Sequence, residues 1–282
     1  MQRAEIKLMG DKIKNTAILA FKIIVYTPLK YCLLFVLASI LVSFYGSSTW
    51  WSAILSKALP IVFSIAIFIL IAGELWGNRA KLSFVVNIYF KSGILSYFRA
   101  FSIVVITITL GIVVYLHVPE FLRWGWGSLI FGNSGNVALQ PLDTASQVGQ
   151  KVSQIQGNGF DYRWIFMIPV WIIFILAFPF WAEVEEKIFR QGVHSWKGIT
   201  ISSIKFGLVH LMMGIPLCWA FTLSVPGFLF ACRYKYVYHR YLRQFKDEAK
   251  AQAVGVRAST ADHAIYNAIL ITLSVILLLL AL

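Results

Sequence analysis

Residues 164–182 read WIFMIPVWIIFILAFPFWA, and residues 183–190, directly behind them, read EVEEKIFR. The first stretch has the length and apolarity of a helix that crosses a bilayer, about 20 residues with no charge. The second places five charges at its end, and no proline follows Pro179 to stop the helix before Arg190. The rest of the chain has the same character. Of 282 residues, 59% are hydrophobic and 13% charged, and the mean hydropathy is +0.75. Soluble domains are roughly 45–50% apolar and about 25% charged, so this chain has too few charges to cover a water-facing surface. Lipid must cover much of it, and the expected fold is all-α, a polytopic transmembrane helical bundle.

Uncharged runs and the breakers between them predict about seven spans. Tyr31 to Ser56 and Ala58 to Gly73 form two helices turning around Gly46-Ser47-Ser48-Thr49, with Trp50 and Trp51 at the interface. Ala100 to Pro119 is the third span and Trp164 to Ala182 the fourth. The run Phe206 to Cys232, broken by Gly214-Ile215-Pro216, divides into a fifth and a sixth that begin near Ile199 and Leu217. Ala264 to Leu282 is the last. Two regions follow, residues 1–162 with three spans and an external loop, Pro119 to Tyr162, and residues 163–282 with four spans.

Segments 1–30, 74–99, 183–205 and 233–262 hold twenty-one of the Lys and Arg residues, against four (Lys57, Arg123, Lys151, Arg163) in the opposite-side segments. This positive-inside asymmetry places the N-terminus in the cytoplasm. It also accounts for the net charge of +13 by anionic lipid rather than nucleic acid. Met1 to Asn15 is too polar to open a signal peptide. Ala17 to Tyr26 and Leu82 to Tyr97, apolar but interrupted by Lys22 and Lys91, suit helices lying in the cytoplasmic interface. Cys32, Cys218 and Cys232 stand in apolar runs with no CxxC spacing, which suggests neither a disulfide framework nor a thiolate metal site.

Ionisable residues at membrane depth are functional hypotheses by default. Helical spacing pairs Glu183 with Lys187 and Glu186 with Arg190, each acid four residues ahead of its base. Glu185 is left without a partner among Trp181, Ala182, Ile188 and Phe189, and is free for acid–base work. His210 sits in the longest uncharged run, and His263 and Asn267 lie four apart near the start of the last span, behind an N-cap expected at Ser259 or Thr260. Each element has a plainer reading: a solvated collar, a hydrogen-bonded structural histidine, a pair that glues helices together. Taken together, a carboxylate, two histidines and an amide supply a base, a partner to position water and donors for an oxyanion.

These residues also resemble a family. Glu185 to Arg190 matches EExxxR, Phe206 to His210 matches FxxxH, and His263 to Asn267 matches HxxxN. In this order, on separate helices and with Gly192 soon after the arginine, they are similar to the CAAX prenyl protease and bacteriocin-processing family, also called the Abi family, over about residues 175–275. Between the second and third motifs lies the long basic stretch Arg233 to Asp262, where a shorter glycine-containing turn is expected. The resemblance implies a metal-independent glutamic endopeptidase with a cytoplasm-facing cavity between the fourth to seventh spans. Its substrate would be a peptide or a membrane-anchored, in some cases prenylated, protein, in the plasma membrane of a prokaryote. In that carry-over Glu185, aided by His210, activates water, His263 and Asn267 stabilise the oxyanion, and Glu186 and Arg190 support the site, as does Phe206 of the second motif. No cofactor is implied. Zinc on Glu185, His210 and His263 is the rival within the enzyme class, and a non-enzymatic immunity or partner protein keeping the helices is the rival outside it. The topology predicts that a single cysteine placed within residues 120–160 reacts with an impermeant thiol reagent from the external face, and labelling from the cytoplasmic face would overturn it.

Overall fold

A computed structural model describes residues 50–131 and 135–280. Most of Tyr31 to Ser56, the turn at residues 46–49 and the interfacial helix expected at Ala17 to Tyr26 lie outside these residues. The described residues from Ser56 onward belong to one compact unit, and among them every regular element is helical. The long elements are α1 (Trp50–Gly77), α3 (Ile94–His117), α6 (Arg163–Phe189), α9 (Ser224–Phe245) and α10 (Glu248–Leu280). Shorter ones intervene: α2 (Leu82–Phe90), α4 (Trp126–Phe131), α5 (Gln140–Gln156), α7 (Trp196–Val209) and α8 (Leu217–Thr222).

Five helical stretches are long and apolar enough to cross a membrane: Ala58–Gly77, Ile94–His117, Arg163–Phe189, Leu217–Phe245 and Glu248–Leu280. Their outer faces carry exposed Ile61, Val62, Ile65, Ile69 and Leu70 on α1 and Phe98, Phe101, Val105 and Ile112 on α3, the surface lipid would cover. The stretch expected as the fifth span is the 14-residue α7, about 21 Å at 1.5 Å per residue. It is continued by a 3-10 turn, His210–Met213, which Gly214 ends at φ +81°, and the α-helical part is shorter than a bilayer core of about 30 Å.

The interfacial helix expected over Leu82 to Tyr97 is broken after Phe90, where Gly93 at φ 75° turns the chain and Ile94 opens α3, and two longer segments depart further from the sequence reading. The stretch expected as an external loop contains a 17-residue helix, α5, with Pro141 in its first turn and left-handed Gly157 at its end. Its Leu142 and Ala145 are buried in the core that Ile71 of α1, Met167 and Phe174 of α6, and Ile271 and Val275 of α10 share, and its Thr144 hydroxyl bonds Ser64 at 2.6 Å. The few apolar residues of α5 fall on one face, and a window dominated by Gln, Ser and Gly hides them. The second departure is the start of the last helix. It begins at Glu248, where Asp247 Oδ1 accepts the Lys250 N–H at 3.0 Å, and not at Ser259 or Thr260, both of which are fully buried within it. The basic stretch is thus the continuation of α9 and the opening turns of α10, joined at Lys246 (φ 52°). Tyr234 and Tyr238 of α9 and Ala251 and Val256 of α10 make a core between the two.

Helix α7 is seated on α8 and α9 by Gly207. A Cβ there would lie 2.3 Å from the Ala220 carbonyl oxygen and 2.7 Å from the Ser224 nitrogen, backbone atoms that cannot turn aside. Gly207→Ala must therefore separate α7 from α9. Overpacking of this kind costs about 1–3 kcal/mol, to be read as a lower midpoint of chemical unfolding in detergent, and an unchanged midpoint would contradict the packing.

Candidate active site

The charged end of α6 divides as its spacing requires. Glu183 Oε1 and Lys187 Nζ pair at 2.7 Å with both side chains partly exposed. Glu186 and Arg190 pair at 3.3 Å with neither side chain accessible. Arg190 is the last turn's closing residue, donating its N–H to the Glu186 carbonyl at 2.9 Å. Gly192, at φ +78°, then turns the chain, and its N–H reaches the Tyr234 hydroxyl at 3.1 Å. The Arg190 guanidinium donates to the Gly227 carbonyl at 3.1 Å and lies 4.2 Å from the Phe206 ring centroid.

Glu186 is the centre of a buried network. Its Oε1 accepts the Nδ1–H of His263 at 2.9 Å, and its Oε2 faces Arg190 and accepts from the Ser259 hydroxyl. A carboxylate accepts without donating, so His263 carries a proton on Nδ1. Its ring is held further by Phe230, stacked at 4.6 Å and 21°, and by the edge of Phe206 at 5.4 Å. The other ring nitrogen, Nε2, then stands 3.6 Å from Glu185 Oε2.

Glu185 differs from its neighbour in every respect that matters chemically. Its side chain is 29% exposed where that of Glu186 is 0%, and its Oε2 makes no hydrogen bond. His210 begins the turn after α7, with Nδ1 2.7 Å from the Phe206 carbonyl. That contact assigns the proton to Nδ1 and leaves Nε2 as the free nitrogen. Phe206 packs edge-on to the His210 ring at 4.8 Å, so one phenyl ring touches Arg190, His210 and His263. The His210 ring is also within electrostatic reach of Glu185 and His263. Asn267 is half-buried one helical turn beyond His263 and hydrogen-bonds none of these residues. The structure therefore brings together Glu185, Glu186, Arg190, Phe206, His210 and His263, and leaves Asn267 at the margin. Among the described residues no group of three or more His, Cys, Asp or Glu side chains is arranged to hold a metal ion.

Several participants are absent from the sequence reading. Ser259, which with Thr260 is an expected cap, stands four residues before His263 and eight before Asn267, the spacing of one helix face. Phe230 and Gly227 carry no signal of their own in a single sequence. Asp262, buried beside His263, accepts two hydrogen bonds from Arg99, at 2.7 and 3.0 Å, and faces Arg233 at 3.6 Å. It ties α3 and α9 to the helix that bears His263, and in the sequence it is hidden among the charges of a basic segment.

No protein-family model, curated protein or solved structure matches the chain.

The turn that follows Arg190 is clamped to α9. The His194 ring stacks on Tyr238 at 4.0 Å and 19°, and Lys235 donates to the His194 carbonyl at 2.6 Å while lying 4.4 Å from the Trp196 ring centroid. Both ring nitrogens of His194 are shielded and unbonded. This shielding holds the imidazole below its ordinary value; His239 and Lys235 act in the same direction and Glu248 against it. The folded state therefore takes up its proton at lower pH than the unfolded chain. Its contribution to stability is complete above about pH 6.5 and is lost as pH falls below that value. Between about pH 7.5 and about pH 5 the thermal midpoint of the wild type should fall further than that of His194→Phe, and equal losses would contradict the assignment.

Proposed function

We propose that this protein is an intramembrane endopeptidase in which Glu185 activates water for attack on a peptide carbonyl. The observation that carries the reading is the unequal use of two adjacent glutamates. Glu186 is consumed by Arg190, Ser259 and His263, whereas Glu185 keeps an unbonded oxygen 3.6 Å from His263. The motif resemblance over residues 175–275 supports the same assignment, and the five apolar helices set it in a membrane.

In this reading a water between Glu185 and His210 gives its proton to the Glu185 carboxylate as its oxygen bonds to the scissile carbonyl carbon. The carbonyl oxygen becomes an oxyanion, to which His263 donates, with Asn267 as the second donor that the motif resemblance implies. Because the Nδ1–H of His263 is committed to Glu186, the ring donates to an oxyanion through Nε2 only when it carries both protons. Glu185 then returns its proton to the leaving nitrogen as the C–N bond breaks. Glu186, Arg190 and Phe206 hold His263 and His210 in place. The chain takes seven spans with the N-terminus in the cytoplasm of a prokaryote, and the site opens through a cavity between the fourth to seventh spans. Its substrate is a peptide or a membrane-anchored protein, cleaved near the inner leaflet without a metal.

General acid–base groups contribute about 10²–10⁴-fold, so Glu185→Gln and His210→Ala should each lower cleavage by at least about 100-fold while leaving a folded protein. Terminal-peptide mass spectrometry of cells carrying wild type or Glu185→Gln should reveal new termini in the wild type alone. Identical terminal peptides, or full activity in Glu185→Gln, would overturn the proposal and favour a non-enzymatic membrane partner.

A further inference from the structure

Helix α6 contains Pro179, whose ring nitrogen has no hydrogen to give the carbonyl four residues earlier, that of Ile175. That carbonyl accepts instead from the hydroxyl of Tyr89 at 2.7 Å. Tyr89 lies on α2, outside the three motifs and 86 residues away along the chain, and its own carbonyl accepts from the Tyr97 hydroxyl at 2.5 Å. Around this bond α2 acts as a wedge. Ile88 is buried with Ala182, Ala261 and Ala264, and Phe84 and Tyr89 pack against the same group. The Phe84 ring also meets that of Phe180 at 5.8 Å. Ala182 precedes Glu185 by three residues, and Ala261 and Ala264 flank His263. One short helix thus touches both elements that meet at the site, immediately beside the carboxylate on one and the histidine on the other.

A proline-freed carbonyl is where a helix changes direction, because the segment beyond it is no longer tied to the segment before it by that hydrogen bond. Glu183, Glu185, Glu186 and Arg190 all lie beyond Pro179. We infer that Tyr89 is a positioning residue: by occupying the carbonyl that Pro179 frees, its hydroxyl fixes the direction of residues 180–190 against α10, and with it the separation of Glu185 from His263. The inference rests on the proposed reading of Glu185 as the base and His263 as a donor to the oxyanion. That separation, 3.6 Å, is just beyond hydrogen-bond length, and a misplacement of about 1 Å at reacting groups can cost about 100-fold in rate.

The test is a cycle of Tyr89→Phe, Pro179→Ala and the double variant in the full chain in detergent. An alanine at 179 restores the N–H that bonds the Ile175 carbonyl, so that carbonyl no longer depends on the Tyr89 hydroxyl. With Pro179 present, Tyr89→Phe should lower kcat about tenfold and leave KM within about twofold, using the peptide whose new terminus the Glu185→Gln comparison identifies. In the Pro179→Ala background the same change should alter kcat less than about twofold. The 15N resonances of the His263 ring, assigned by their loss in His263→Asn, should move with Tyr89→Phe in the first background and stay fixed in the second. A general loss of packing would move both backgrounds alike. Equal effects in the two backgrounds, or unchanged kcat and His263 resonances in Tyr89→Phe, would overturn the inference. If Glu185→Gln proves fully active, the peptidase reading falls, yet the resonance comparison still decides whether Tyr89 sets the His263 environment. If Tyr89→Phe does not fold, Tyr97→Phe, which loosens the Tyr89 carbonyl, gives the same two-background comparison of His263 resonances, and equal shifts again overturn it.

Discussion

Glu186 and Arg190 place an ion pair where neither side chain meets solvent, and the helices that meet there supply every partner of its carboxylate and one of its guanidinium, whose Nε and Nη1 make no hydrogen bond. Removing two charges from water costs several kcal/mol per ion, which their attraction offsets only when the remaining lone pairs and N–H groups are also satisfied. α9 brings the Gly227 carbonyl to the guanidinium, α10 brings Ser259 and the His263 N–H to the carboxylate, and α7 brings the face of Phe206. The requirement reaches down to single atoms. A Cβ on Gly227 would stand 2.7 Å from Phe206, so α9 approaches α7 closely enough to deliver its carbonyl only because residue 227 has no side chain.

This arrangement explains why two adjacent glutamates behave differently. Successive residues on a helix point about 100° apart, so Glu186 enters the four-helix junction while Glu185 faces its edge. The first is immobilised by Arg190 on its own helix and by Ser259 and His263 on α10, and through His263 it passes that rigidity to the neighbourhood of the second. The outcome is a partly exposed carboxylate with an unbonded oxygen, beside an imidazole whose ring is held by a buried carboxylate and two aromatic rings. Such a combination of a fixed partner and a free acid suits proton transfer better than two exposed carboxylates would.

Much of this was legible in the sequence, for reasons that are local. The pairings Glu183 with Lys187 and Glu186 with Arg190 follow from helix geometry alone, and so does the isolation of Glu185. The all-helical membrane character follows from composition, and the helices that cover most of Ala58 to Gly73, Ala100 to Pro119 and Trp164 to Ala182 follow from uncharged runs. What escaped depends on tertiary context. The apolar face of α5 is three or four residues wide and emerges only when α1, α6 and α10 cover it. The opening of α10 is polar and looks like a loop until Tyr234 and Tyr238 pack against it. The link from Tyr89 to Ile175 joins residues that no spacing rule relates, and the hydroxyls of Ser259 and Thr260 suit a helix cap as readily as a buried network.

The central claim is that Glu186 holds the site together and Glu185 is free to react. Equilibrium unfolding of Glu186→Gln and Glu185→Gln in the same detergent tests it most directly and needs no substrate. Removing one partner of a buried ion pair costs about 3–5 kcal/mol, whereas a change at a partly exposed, unpartnered side chain costs within about 1 kcal/mol. The account predicts that Glu186→Gln unfolds at markedly lower denaturant while Glu185→Gln matches the wild type, and equal destabilisation of the two, or the reverse order, would contradict it.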